Sequence, residues 1–113
     1  MTGVSRKAFT GGLRTSTGFN ATWPFARLTL SDDGLVLRAF GIAHTRLAWK
    51  DLEGATPVVG GMLGSPGVRL LIAHRAPVVF WTFNRVGVLD ALQSRGVAII
   101  DPPGRPPKVW FGA

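Results

Sequence analysis

Phe25-Ala26-Arg27-Leu28-Thr29-Leu30, Ser31-Asp32-Asp33-Gly34 and Leu35-Val36-Leu37-Arg38-Ala39-Phe40 decide the fold of this chain. In the first segment Ala26, Leu28 and Leu30 alternate with Arg27 and Thr29, the period-2 pattern of a half-buried strand. The middle segment is a hairpin turn, because Asp and Gly accept the positive φ that tight hairpins require. Leu35 to Phe40 then returns as the partner strand. Two antiparallel strands with one apolar face define a mainly β architecture, and the rest of the chain repeats the theme.

Upstream, Trp23-Pro24 opens this strand. Phe9 to Arg14 reads as an earlier strand, which Gly11 and Gly12 weaken. Downstream, Gly41 ends the hairpin, and Thr45 to Trp49 follows with Leu47 and Trp49 on one face and Arg46 and Ala48 on the other. Trp49 is therefore expected to be buried. Ala55 to Val59 is a further strand, and Gly60 to Gly67 reads as a loop between sheets with Met62-Leu63 at its tip. Val68 to Ala73 and Pro77 to Phe83 form a second hairpin around His74-Arg75-Ala76. The run Val78 to Phe83 is apolar on both faces, so a cover is expected on each. Asn84 is a helix N-cap, Val88, Leu89 and Leu92 share one helical stripe, and Gly96 falls at the C-terminal cap. Val97 to Ile100 adds a short strand or packs beneath the helix. Asp101 to Lys108 holds four prolines in eight residues and reads as an extended tether for Val109-Trp110-Phe111. The expected organisation is one domain over 8–100 and a proline-rich tail with an apolar tip over 101–113.

Composition narrows the chemistry. The chain has 113 residues, 46% of them hydrophobic and 17% charged, which is a globular and not a disordered balance. Cysteine and tyrosine are absent, which removes disulfides, thiolate metal ligands and cysteine or phenolic nucleophiles. Met1 to Thr10 carries Arg6 and Lys7 without a following apolar run, so no signal peptide is expected. The longest charge-free stretch, Gly54 to Val68, has five glycines and two prolines in fifteen residues and is no membrane helix. The expected location is the cytoplasm, with contact at the inner membrane surface.

A meander of six or seven strands closed by one C-terminal helix resembles the pleckstrin-homology-like superfold. Trp23 to Leu30, the turn Asp32-Asp33-Gly34 and the strand from Leu35 resemble the opening of GRAM-type and bacterial PH-like domains. Arg46-Leu47-Ala48-Trp49-Lys50-Asp51-Leu52 is similar to their strand ending in an aromatic, a polar pair and an aliphatic residue. Val88-Leu89-Asp90-Ala91-Leu92 with Gly96 is similar to their closing helix. The resemblance implies a barrel of two orthogonal antiparallel sheets capped by the helix, and a binding or scaffold role without catalysis. The Lys/Arg cluster with which phosphoinositide-binding members equip their first hairpin is missing here; that region offers only Arg14 before Gly18-Phe19-Asn20.

Few residues suggest catalysis. His44 and His74 lie near turns without acidic or histidine neighbours at ligand spacing, Asp32 and Asp33 serve a turn, and Asp51 and Glu53 flank a strand end. The Gly60–Gly67 segment lacks the Lys-Ser/Thr pair of a phosphate loop and leads into a strand. No cofactor or metal is expected. The net charge of +7 is carried mostly by arginines. Arg27, Arg38, Arg46 and Arg69 fall on strands beside inward apolar positions, so several are expected to share the outer face and attract anions. The expected partners are a protein, a second copy of the chain or an anionic membrane surface. Arg27, Arg38, Arg46 and Arg69 supply the charge, and Met62, Leu63, Trp110 and Phe111 the apolar contact. Nucleic acid bound by the same arginines, or a small molecule held between the sheets, are the alternatives.

Overall fold

The computed structural model describes residues 7–60 and 65–100. Seven strands run in order β1 (Lys7–Thr15), β2 (Asn20–Leu30), β3 (Gly34–Ala39), β4 (Ile42–Ala48), β5 (Leu52–Gly60), β6 (Ser65–Ile72) and β7 (Val78–Trp81), followed by helix α1 (Arg85–Gln93). All ladders are antiparallel, and they join the strands into one sheet of order β4-β3-β2-β1-β7-β6-β5. The alternation read in Ala26-Leu28-Leu30 holds: these three are buried, facing Leu35, Leu37 and Leu47. Leu13, Val68, Leu70, Val78 and Phe80 from the other half of the sheet, and Val88, Ala91 and Leu92 from α1, join the same core. Burying a side chain of this size contributes roughly 1.5–3 kcal/mol, so this shared core holds the two halves together.

Strand β1 belongs to both halves. Lys7 to Gly11, Leu13 and Arg14 pair with β2 along one edge, and Gly12 to Thr15 pair with β7 along the other. Gly11 and Gly12, which weaken a strand by propensity, here let the backbones of β7 and β2 approach closely. A Cβ on Gly11 would lie 2.0 Å from the Trp81 carbonyl oxygen, so no larger residue fits where the β7 ladder begins.

The structure alters three local expectations. Trp23-Pro24 does not open β2 but lies inside it. Trp49 leaves the strand in a short 3₁₀ turn, Trp49–Asp51, and is half-buried; its indole Nε1–H donates to the Ser31 carbonyl at 2.8 Å. Gly60–Gly67 is not a connection between sheets but lies within a hairpin, because Val58↔Gly67, Val59↔Pro66 and Gly60↔Ser65 pair. The helix is capped as its sequence indicates. The Asn84 Oδ1 accepts from the Gly87 N–H at 3.2 Å, and Gly96 follows at φ +87°. Ala98 to Ile100 then run beside the outer edge of β5, with a parallel bridge Ala55↔Ile99. No helix among the described residues is long and apolar enough to cross a membrane.

Candidate docking surface

The surface begins in the irregularity of β2. Its ladder with β1 is regular to Gly11↔Ala26 and resumes at Leu13↔Ala21, so Gly12 on one strand faces four residues, Thr22 to Phe25, on the other. The surplus is pushed outward. Trp23 and Phe25 are each 52% exposed, and the Trp23–Pro24 peptide between them is cis.

Phe25 stacks on Phe40, with ring centroids 5.5 Å apart and planes 23° from parallel. Phe40 sits at the β3–β4 turn with φ +54°, followed by Gly41 at +80°. Positive φ at both central residues is the type I′ hairpin geometry, which favours Asn, Asp or Gly at the first of them. A bulky side chain there costs about 1–2 kcal/mol. Yet Phe40 is 60% exposed, so little burial offsets that strain.

On the other side Trp23 meets Phe83 edge to face at 5.5 Å. Beneath them Trp81 lies across Gly60 and Gly67; a Cβ on Gly67 would come within 2.5 Å of its ring. Trp81 thus gains the outer cover its sequence demands, whereas Phe83, on the same apolar run, is 72% exposed and lacks one. Trp23, Pro66, Trp81, Thr82 and Phe83 line a shallow cleft. Phe40, Phe25, Pro24, Trp23 and Phe83 therefore form one strip, extended by the exposed Ile42 beyond Gly41. Given the size of aromatic side chains, it presents roughly 600 Å² to solvent, at the upper end of the largest patch on an ordinary monomer.

Behind Phe25 and Phe40 stand the arginines. Arg27 and Arg38 are directly opposite one another on β2 and β3, and with Thr10, Pro24, Phe25 and Phe40 they line a second cleft. Arg46 follows on β4, opposite Val36. Like charges facing across a ladder are destabilising, and among the described residues no carboxylate pairs with any of the three. Asp32 and Asp33 lie at the far end of the same hairpin, where Arg95 engages Asp32 at 3.6 Å. Arg69 is not part of this row: on β6, opposite Val79, it is separated from Arg27 by β7 and β1. Met62, Leu63, Trp110 and Phe111 lie outside the described residues.

The histidines serve the fold. His44 is the extra residue of a bulge in β4; it stacks on Phe19 at 4.6 Å and shares a 2.9 Å hydrogen bond with the Thr45 hydroxyl. His74 occupies the β6–β7 turn at φ +62°. Among the described residues no three His, Asp or Glu side chains are grouped to hold a metal ion. A scan against protein-family models and a search of curated proteins both find no match to this chain.

Sequence reasoning grouped Arg27, Arg38, Arg46 and Arg69, of which the structure sets Arg69 apart, and missed the strip. Hydrophobic periodicity does not register a bulge or a positive-φ turn that turns an aromatic outward, so it does not announce the exposure of Trp23, Phe25, Phe40 and Phe83. The signal available was Trp23-Pro24, since proline is confined to edges and irregularities of a sheet.

Proposed function

We propose that the chain is a non-enzymatic binding module of the pleckstrin-homology-like kind, similar to GRAM and bacterial PH-like domains, which docks onto anionic membrane surfaces. In this reading the two halves of the sheet form orthogonal layers of a barrel plugged by α1, and the domain spans 8–100. The single observation that carries the function is the exposed aromatic strip continuous with the unpaired Arg27–Arg38 pair. Aromatic side chains partition into the headgroup boundary of a bilayer, and arginines beside them meet lipid phosphates. A protein partner would need a surface complementary to both.

Co-sedimentation with anionic and with neutral vesicles, at low and at physiological salt, tests this. The expected result is binding to anionic vesicles that persists at physiological salt and is lost in the folded double variant Phe25→Ala/Phe40→Ala. No sedimentation with anionic vesicles at either salt removes the membrane and leaves a protein partner. Sedimentation abolished by competing RNA, with steep salt dependence and no need for the phenylalanines, transfers the arginines to nucleic acid.

A further inference from the structure

Thr10, Arg27 and Arg38 stand in one row across β1, β2 and β3, because Thr10 pairs with Arg27 and Arg27 with Arg38. Their Cβ atoms follow one another at about 5 Å on the outer face of the sheet. Each guanidinium carries a planar fork of N–H donors. Among the described residues none of these donors meets a carboxylate or a carbonyl. Arg38 is half-buried, so part of its hydration is lost with no protein group in exchange. Opposed like charges destabilise a sheet, and an anion seated between them turns that repulsion into attraction.

The surroundings select one class of anion. The cleft that this row lines has a volume of about 260 Å³ and is bordered by the stacked Phe25 and Phe40. None of the described residues that line it is acidic. The rings keep water from one flank, which strengthens charge attraction there. A third, larger cleft of about 460 Å³ lies toward the β2–β3 turn; Arg38 and Arg46 both line it, but so does Asp33. A dianion is therefore better placed between Arg27 and Arg38. A phosphate monoester carries a charge of about −1.5 to −2 at pH 7 and three acceptor oxygens. It can give one guanidinium a bidentate pair and still offer an oxygen to the other and to the Thr10 hydroxyl. A diester has a single charge and fewer terminal oxygens, so it cannot neutralise both arginines.

We propose that Thr10, Arg27 and Arg38 form a site for a terminal phosphate group, the monoester of a lipid headgroup or of a soluble phosphorylated molecule. The inference deepens the docking surface and rests on that reading for the lipid source. Phe25 and Phe40 border the cleft, so rings held in the headgroup boundary bring lipid phosphates to the row.

The test titrates the ¹⁵N-labelled chain with methyl phosphate and with dimethyl phosphate, at an ionic strength fixed with sodium chloride. The expected result is saturable shifts centred on Thr10, Arg27 and Arg38, with methyl phosphate bound about tenfold more tightly. Arg38→Gln should abolish them and Arg69→Gln should keep them. Equal affinity for the two esters, or shifts that chloride alone reproduces, overturns the proposal. Vesicles of phosphatidic acid or phosphatidylglycerol in phosphatidylcholine, matched in surface charge, then identify the source. Preference for phosphatidic acid, lost in Arg38→Gln, assigns the site to a lipid. Monoester preference in solution without lipid preference assigns it to a soluble phosphorylated molecule. If nothing sediments while the monoester shifts persist, the membrane reading fails and the site stands. If both vesicles bind equally and the esters are not distinguished, the membrane reading stands and the site fails.

Discussion

Phe40 carries a cost at a position where it gains little. Its φ of +54° suits asparagine, its ring is mostly exposed, and its one aromatic contact is Phe25. Phe40→Ala and Phe40→Asn both lose that contact, but only asparagine tolerates the left-handed region. Urea titration should find Phe40→Asn more stable than Phe40→Ala by about 1 kcal/mol. Both should bind anionic vesicles more weakly than the parent. Equal stabilities would mean the turn relaxes and stores no strain. The sequence shows Phe40 only as the last apolar residue of a strand before Gly41. Its outward display depends on the two-residue turn geometry, which the hydrophobic pattern does not encode.

Among the elements, Arg95 ties the segment that follows α1 to the β2–β3 turn. The Arg95 Nη1 donates to the Ser31 carbonyl at 2.8 Å, and its guanidinium stands 5.3 Å from the centroid of Trp49, whose indole reaches the same carbonyl. The planar fork allows stacking and hydrogen bonding together, which an ammonium cannot reproduce. Arg95→Ala should cost about 2 kcal/mol in urea titration. Arg95→Lys should recover less than half, and Asp32→Asn, which loses only an exposed ion pair, under about 0.5 kcal/mol. A full rescue by lysine would reduce the contact to its charge. The helix itself was legible, since Asn84 and Gly96 are local signals acting on the nearest backbone. Its tie to Ser31 was not, because 64 residues separate the two partners.

At the scale of the molecule, the strand pattern, the hairpins and the inward set around Leu28, Leu37 and Phe80 follow from period-2 alternation. Register does not, and register is what places Arg27 opposite Arg38 and Arg69 elsewhere. A difference among the arginines follows. A basic residue at a membrane surface contributes about 1 kcal/mol, so Arg27→Gln and Arg38→Gln should each weaken anionic-vesicle binding about fivefold at low salt. Arg69→Gln should have a much smaller effect. The arginine variants should flatten the salt dependence, whereas Phe25→Ala/Phe40→Ala should lower affinity and leave that slope intact. Equal losses at Arg27, Arg38 and Arg69 would mean that net charge alone drives association.

The double membership of β1 also bears on how the chain finds its structure. Among the described strands every ladder but β1–β7 joins neighbours in sequence, and that one, between Gly12–Thr15 and Val78–Trp81, closes a circuit of more than sixty residues. Hairpins can form at small loop-closure cost, whereas this pairing waits until the chain between has been ordered. Strengthening β3–β4 should then speed folding, and perturbing Leu13 or Phe80 should speed unfolding, as the two arms of a chevron would separate. The point at which Gly11 lets the Trp81 backbone come alongside a strand already paired with β2 is where the first strand and the last are joined.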